Sequence, residues 1–205
     1  MKAFAGWIPK LMLFMLVAVL LNACSKDDDA PSVVVLSTVE KSSLQFMREE
    51  EKLARDVYRY LYELHGNLIF SNIATSEQSH MDAIKQLLVK YNITDPVATD
   101  VPGIFVNQDL QALYNKLILD GSKSVVAALT VGATIEDLDL YDLENELDKV
   151  ASADIILVYN SLIKGSRNHL RSFYGQLVTL GETYTPQYIT QEYFDFIINS
   201  PMERG

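Results

Sequence analysis

The sequence predicts an all-α fold, a four-helix bundle with one long crossover connection and short additional helices. Three observations carry this. Apolar residues recur at alternating steps of three and four along four long stretches. Gly and Pro are few after the N-terminal segment, and most fall at the boundaries of those stretches. No segment of useful length alternates with period two, apart from a short ambiguous run at 33–35.

The elements follow in order. Ser37-x-x-Glu40 reads as a capping box opening a first helix that runs to His65 and stops at Gly66. A second helix runs from about Leu68 to Tyr91 and ends before Asp95-Pro96. Residues 92–106, with Pro96, Pro102 and Gly103, form the crossover. Asn107 to Leu119 is a short helix ending near Gly121. Ser122 is expected to cap a third long helix to about Asp148, and Ser152 a fourth to about Leu180, before Gly181. A short helix from Thr190 to Ile198 closes the chain after Tyr184-Thr185-Pro186.

Composition narrows the function. The 205 residues carry 17 Lys+Arg against 27 Asp+Glu, a formal charge of -10. That excess of acid argues against nucleic acid as a partner. One cysteine excludes an intramolecular disulfide framework and a cysteine-rich zinc or iron–sulfur site.

The first 23 residues read as a secretory signal: Lys2 and Lys10, then an apolar run from Leu11 to Ala23 too short to span a bilayer comfortably. A retained N-terminal anchor is the alternative. The cysteine falls where the signal ends, in Leu21-Asn22-Ala23-Cys24, which resembles the lipobox of bacterial lipoproteins. The resemblance implies lipidation of Cys24, with Asn22 a less usual residue in that box. Residues 24–36 then form an acidic tether, and 37–199 the helical domain. Ser25 resembles the sorting residue of lipoproteins sent to the outer membrane, and Lys26-Asp27-Asp28-Asp29 a surface-export tag, although an acidic linker needs no such explanation.

Polar residues interrupt the apolar stripes. The first helix reads Leu44, Met47, Glu51, Ala54, Tyr58, Leu61, and the second Ile73, Glu77, His80, Ile84, Leu87, Tyr91. The third long helix reads Leu129, Gly132, Glu136, Asp139, Leu143, Leu147, and the fourth Val158, Leu162, Ser166, His169, Phe173, Leu177, Leu180. Two of only three histidines thus lie on core stripes, level with acids. Carboxylates converging in a core are destabilising without a compensating cation. A pair of divalent ions supplies one, and oxygen-rich sites with imidazoles suit iron, manganese or zinc. The competing reading is a solvated face: Glu49–Glu51 is a charge run, and Asp137, Asp142, Glu144 and Glu146 crowd the third long helix. His65 is expected at the surface, at a helix C-terminus.

These residues also resemble a family. Glu51-Lys-Leu-Ala-Arg-Asp-Val-Tyr58 is similar to the first-helix signature of rubrerythrin and related ferritin-like proteins, and Glu77-x-x-His80 to their second-helix motif. Glu136-x-x-Asp139 resembles their third-helix carboxylate pair, with Asp in place of the second Glu. The span from Leu44 to Ile198 resembles an uncharacterised bacterial family of ferritin-like proteins. The resemblance implies a ferritin-like bundle binding iron, in a dinuclear site or as a single ion. Its metal ligands would be Glu51, Glu77, His80, Glu136, Asp139 and His169. In the fourth long helix Ser166-x-x-His169 stands where such proteins carry Glu-x-x-His, and Asp139 is the candidate replacement.

Around the site, Tyr58 is expected to bond a ligand carboxylate, relay electrons, or simply pack in the core. Arg167 and Arg171 are expected either to neutralise excess acid near His169 or to form surface ion pairs. Gly165 and Ser166 suggest a bulge beside the site, or Gly132 and Gly165 simply let helices approach closely.

Two function classes remain. One is a cell-envelope metalloprotein with ferroxidase or oxygen/peroxide redox activity, in which catalysis itself is uncertain. With no Cys-x-x-Cys module, it carries no built-in electron donor. The other is a lipid-anchored scaffold or binding module, with the aromatic segment Tyr184–Phe196 as a docking surface or as packing across the bundle end. Partners are metal ions and the membrane. A cage is not expected with an N-terminal lipid tether, whereas a homodimer is compatible with it.

Overall fold

The computed structural model describes residues 1–2 and 35–204. The signal segment, Cys24 and most of the tether lie outside the described residues. Leu36, counted with the tether above, is buried in the core.

The described residues form six α-helices and no strand. α1 spans Thr38–His65. Its capping box is complete: Ser37 Oγ accepts from Glu40 N–H at 3.2 Å, and Glu40 accepts from Ser37 N–H at 2.8 Å. Gly66 ends it at φ 67°, a left-handed conformation that glycine adopts without strain. α2 spans Leu68–Lys90 and α3 spans Gln108–Gly121, each opened by an asparagine cap, Asn67 and Asn107.

α4 spans Val125–Leu147, and its cap is Ser124 rather than Ser122. Ser124 Oγ accepts from Ala127 N–H, whereas Ser122 closes α3 with its hydroxyl on Ile118 C=O. α5 spans Ala153–Thr179 as unbroken α-helix, so the bulge expected at Gly165-Ser166 is absent. Close packing replaces it. A Cβ on Gly132 would lie 2.4 Å from the Phe173 ring, and one on Gly165 2.6 Å from the His80 ring. α6 spans Gln191–Asn199, capped by Thr190.

α1 packs along α2, and α4 along α5; α3 bridges α1 and α4, while α1–α4 and α2–α5 contacts close the bundle. α6 lies on α5. The apolar stripes meet in one core that includes Leu44, Met47, Ile84, Leu129, Leu143, Leu162 and Phe173.

The charge run Glu49-Glu50-Glu51 does not face solvent, and all three side chains are buried, Glu49 under the crossover and Glu51 against His80 of α2. Glu49 accepts from Val106 and Asn107 N–H. Asp56, between buried Lys52 and Arg55, accepts from Gly103 N–H at 2.9 Å, and Arg48 pairs with Asp95 at 3.1 Å. Asp137 is likewise buried: it accepts from Tyr184 O–H and from the N–H groups of Gln187, Tyr188 and Ile189. That tie holds the aromatic C-terminal segment across the bundle, with Tyr184 and Phe194 in the core.

Candidate metal centre

Four helices each bring polar side chains to one level of the core. Glu51 comes from α1, Glu77 and His80 from α2, Glu136 and Asp139 from α4, and Ser166 and His169 from α5. Glu77 and His80 sit one turn apart, so both reach the same point of the core.

Two ligand-competent groups form and share one residue. Glu51, Glu77 and His80 bring potential ligand atoms within 4.8 Å of one another, as do Glu77, Glu136 and His169. Glu77 divides its oxygens between them. Oε2 is 2.8 Å from His80 Nδ1, and Oε1 is 2.8 Å from His169 Nδ1. His80 Nδ1 is also 3.1 Å from Glu51 Oε2, and His169 Nδ1 is 3.4 Å from Glu136 Oε2. The two imidazoles stack, with centroids 5.5 Å apart.

Proximity here is not hydrogen bonding throughout. His169 Nδ1 and Glu77 Oε1 lie within ion-pair distance but are not aligned as donor and acceptor, so both remain unpartnered. Glu51 Oε1 and Asp139 Oδ1 are buried without partners as well. The outer groups, by contrast, are held. Tyr58 O–H donates to Glu136 Oε1 at 2.5 Å, and Ser166 O–H donates to Asp139. His169 Nε2 is 3.0 Å from Ser76 Oγ. An Nε2–H donated to that serine leaves the Nδ1 lone pair facing Glu77 and Glu136, the tautomer a metal needs.

The electrostatics match a place built for cations. Burial pushes Glu51 well above the usual carboxylate range, with Asp139 adding to it and His80 opposing. Burial and the neighbouring Glu136 push Asp139 up to about 8. Burial works against charge on His169, but Glu77 and Glu136 overcome it and raise the imidazole to about 10. His80 is raised in the same way, against burial, by Glu51 and Glu77. Glu77 alone goes down: the two histidines outweigh its burial. Four buried carboxyls, Glu51, Glu77, Glu136 and Asp139, thus face two imidazoles. All of these acids except Glu77 are pushed toward the protonated, neutral form in the metal-free core, and a bound cation would favour their ionised form instead.

The structure therefore brings together Glu51, Glu77, His80, Glu136 and His169, with Asp139 adjoining but turned to Ser166. Arg167 is not at the centre. It points away to pair with Glu203 and bond Tyr193, and Arg171 joins it on Glu203 and on Ile197 C=O. Both serve the C-terminal tail, because their positions on α5 face α6. His65 sits in the last turn of α1, 2.9 Å from Gly121 C=O. Glu50 was missed by sequence reasoning. It lies beside Glu51 in a run of three acids, and nothing in helical periodicity distinguishes it from a solvated residue.

Residues 40–201 match the uncharacterized protein domain family DUF2202, and the chain belongs to that family. It is 56% identical over 170 residues to the uncharacterized protein MJ0754 of Methanocaldococcus jannaschii, covering 83% of this chain and 92% of that one. The crystal structure of that hypothetical protein superposes with a TM-score of 0.82 at 55% identity, over 83% of this chain and 97% of the other.

Proposed function

We propose that this chain is a ferritin-like metalloprotein with a dinuclear carboxylate–histidine centre that binds iron, carried at the cell envelope by a lipid on Cys24. One observation carries the metal reading: Glu77 presents one oxygen to each of two histidine–carboxylate groups. The donor set fits. Hard carboxylate oxygens with one imidazole per ion suit iron or manganese, and the unpartnered atoms Glu51 Oε1, Glu77 Oε1 and His169 Nδ1 face inward from separate helices. Glu51 and His80 would hold one ion, Glu136 and His169 the other, with Glu77 between them.

Bound iron supplies redox chemistry toward oxygen or peroxide, which makes ferroxidase activity the leading assignment. The chain's own part is preparation. Tyr58 fixes Glu136, Ser76 fixes the His169 tautomer, and Gly165 leaves room for the His80 ring. The neighbouring carboxylates favour the protonated form of both imidazoles in the metal-free protein, so metal loading competes with protons. The envelope location rests on Leu21–Cys24 and the acidic tether.

The test is metal content by mass spectrometry on the purified full chain, beside a Glu77→Ala/His80→Ala variant. About two iron or manganese ions per chain, lost in the variant, support the reading. No uptake after anaerobic ferrous loading, with the variant equally folded, leaves only the scaffold.

A further inference from the structure

Glu50 has no role in the centre as described, yet it is 4% exposed and neither of its oxygens has a partner. A buried carboxylate left so is costly unless something visits it. The group facing it is another acid. Asp142, half-buried on α4, bonds Glu50 when Glu50 is protonated, and the larger charge acting on Glu50 is Asp139. Asp139 also keeps a buried oxygen, Oδ1, without a partner. A proton shared between Glu50 and Asp142 satisfies this pair in the metal-free protein, and a cation entering there would displace it.

The helix register extends this pair in both directions. Inward, Glu50 adjoins Glu51, and Asp142 lies one turn from Asp139. Outward, one turn from each, stand Phe46 on α1 and Glu146 on α4. Both line a surface hollow of about 310 Å³ that also includes Val39 and Lys149. Glu146 is held there by Lys149 at 2.6 Å. A ladder of acids thus leads from the surface to the centre along the α1–α4 seam: Glu146, Asp142, Glu50, then Glu51 and Asp139. The other opening is a groove of about 570 Å³ between α2 and α5, with His80 in its wall. Its other charged lining residue is Lys164 and it has no carboxylate, whereas the hollow carries Glu146 beside Lys149.

We propose that Glu50 and Asp142 form a transit site for divalent cations, passing them from the hollow at Glu146 to the Glu51–Asp139 side of the centre. This rests on the metal-centre reading above. The site holds an ion only in passing, because two carboxylates bind more weakly than the inner set.

The experiment uses the metal-free full chain and Co(II) alone, with uptake followed by visible absorption in a stopped-flow instrument. Glu50→Gln and Asp142→Asn are compared with Ser161→Trp, which plugs the groove. Expected are unchanged final stoichiometry, loading slowed about tenfold or more in each acid variant, and no slowing in Ser161→Trp. Asp142 is half-exposed, so its variant folds whatever Glu50→Gln does. Equal loading rates in the acid variants overturn the proposal, as does slowing confined to Ser161→Trp. A lowered final stoichiometry in the acid variants also overturns it, by making these residues part of the centre. Absence of uptake by the unaltered chain sinks the metal-centre reading itself.

Discussion

Gly165→Ala separates folding from metal binding in a single methyl group. The added Cβ would lie 2.6 Å from both Cε1 and Nε2 of His80. Ordinary contact requires the ring to retreat by about 0.8 Å. Its Nδ1 now sits 2.8 Å from Glu77 and 3.1 Å from Glu51, so a retreat of that size undoes both approaches. Displacing a ligand by that amount should weaken the His80 ion by about 10- to 100-fold. The helix gains about 1 kcal/mol from replacing Gly by Ala, which offsets the crowding in the metal-free protein. Gly175→Ala on the same helix is the control. Nothing lies within 4 Å of its added Cβ, so it should stabilise by about 1 kcal/mol and leave binding alone. Calorimetric titration with Mn(II) on both variants, with melting temperatures, decides the matter. Gly165→Ala binding two ions at unaltered affinity would refute the assignment of His80 as a ligand held in place by that glycine.

Four further outcomes are expected. Tyr58→Phe leaves Glu136 Oε1 buried without its donor, costing about 1–3 kcal/mol in denaturant unfolding of the metal-free protein while two ions still bind. Asp56→Ala leaves the buried Lys52, 1% exposed, with only Val101 C=O, while Arg55 keeps Asp100, and should cost about 3–5 kcal/mol in the same assay without direct effect on the centre. Glu40 is held below its ordinary 4.5 by the N–H groups of Ser37 and Ala151, against burial, so its contribution is full above that pH. It is lost as pH falls through the lowered folded value, and Glu40→Gln should flatten the acid limb of a stability–pH curve. Chelation should lower the melting temperature of the unaltered chain, by linkage worth about 2.7 kcal/mol per site at a hundredfold excess over Kd, and leave Glu77→Ala/His80→Ala unmoved.

Much of the fold was legible because helical periodicity and caps act locally. The Ser37–Glu40 box and Gly66 were readable from four residues and one. Ser122 and Ser124 compete as caps two positions apart, and only the path out of α3 decides between them. The core level of Glu51, Glu77, His80, Glu136 and His169 was readable because each interrupts an apolar stripe. Glu49 and Asp137 were not, because what buries them comes from distant chain: the crossover at 103–107 and the segment at 184–189. Glu50 was not either, because its neighbours Asp139 and Asp142 come from α4. Of the two roles open to Arg167 the ion pair is the one formed, and local sequence did not choose it because its partner Glu203 is 36 residues away.

The most direct measurement is anomalous diffraction from crystals of the full chain grown with ferrous iron under anaerobic conditions. Two iron peaks are predicted, one between Glu51, Glu77 and His80 and the other between Glu77, Glu136 and His169. A map with no peak at either position, from protein whose core side chains are ordered, would contradict the assignment of this core as a metal centre.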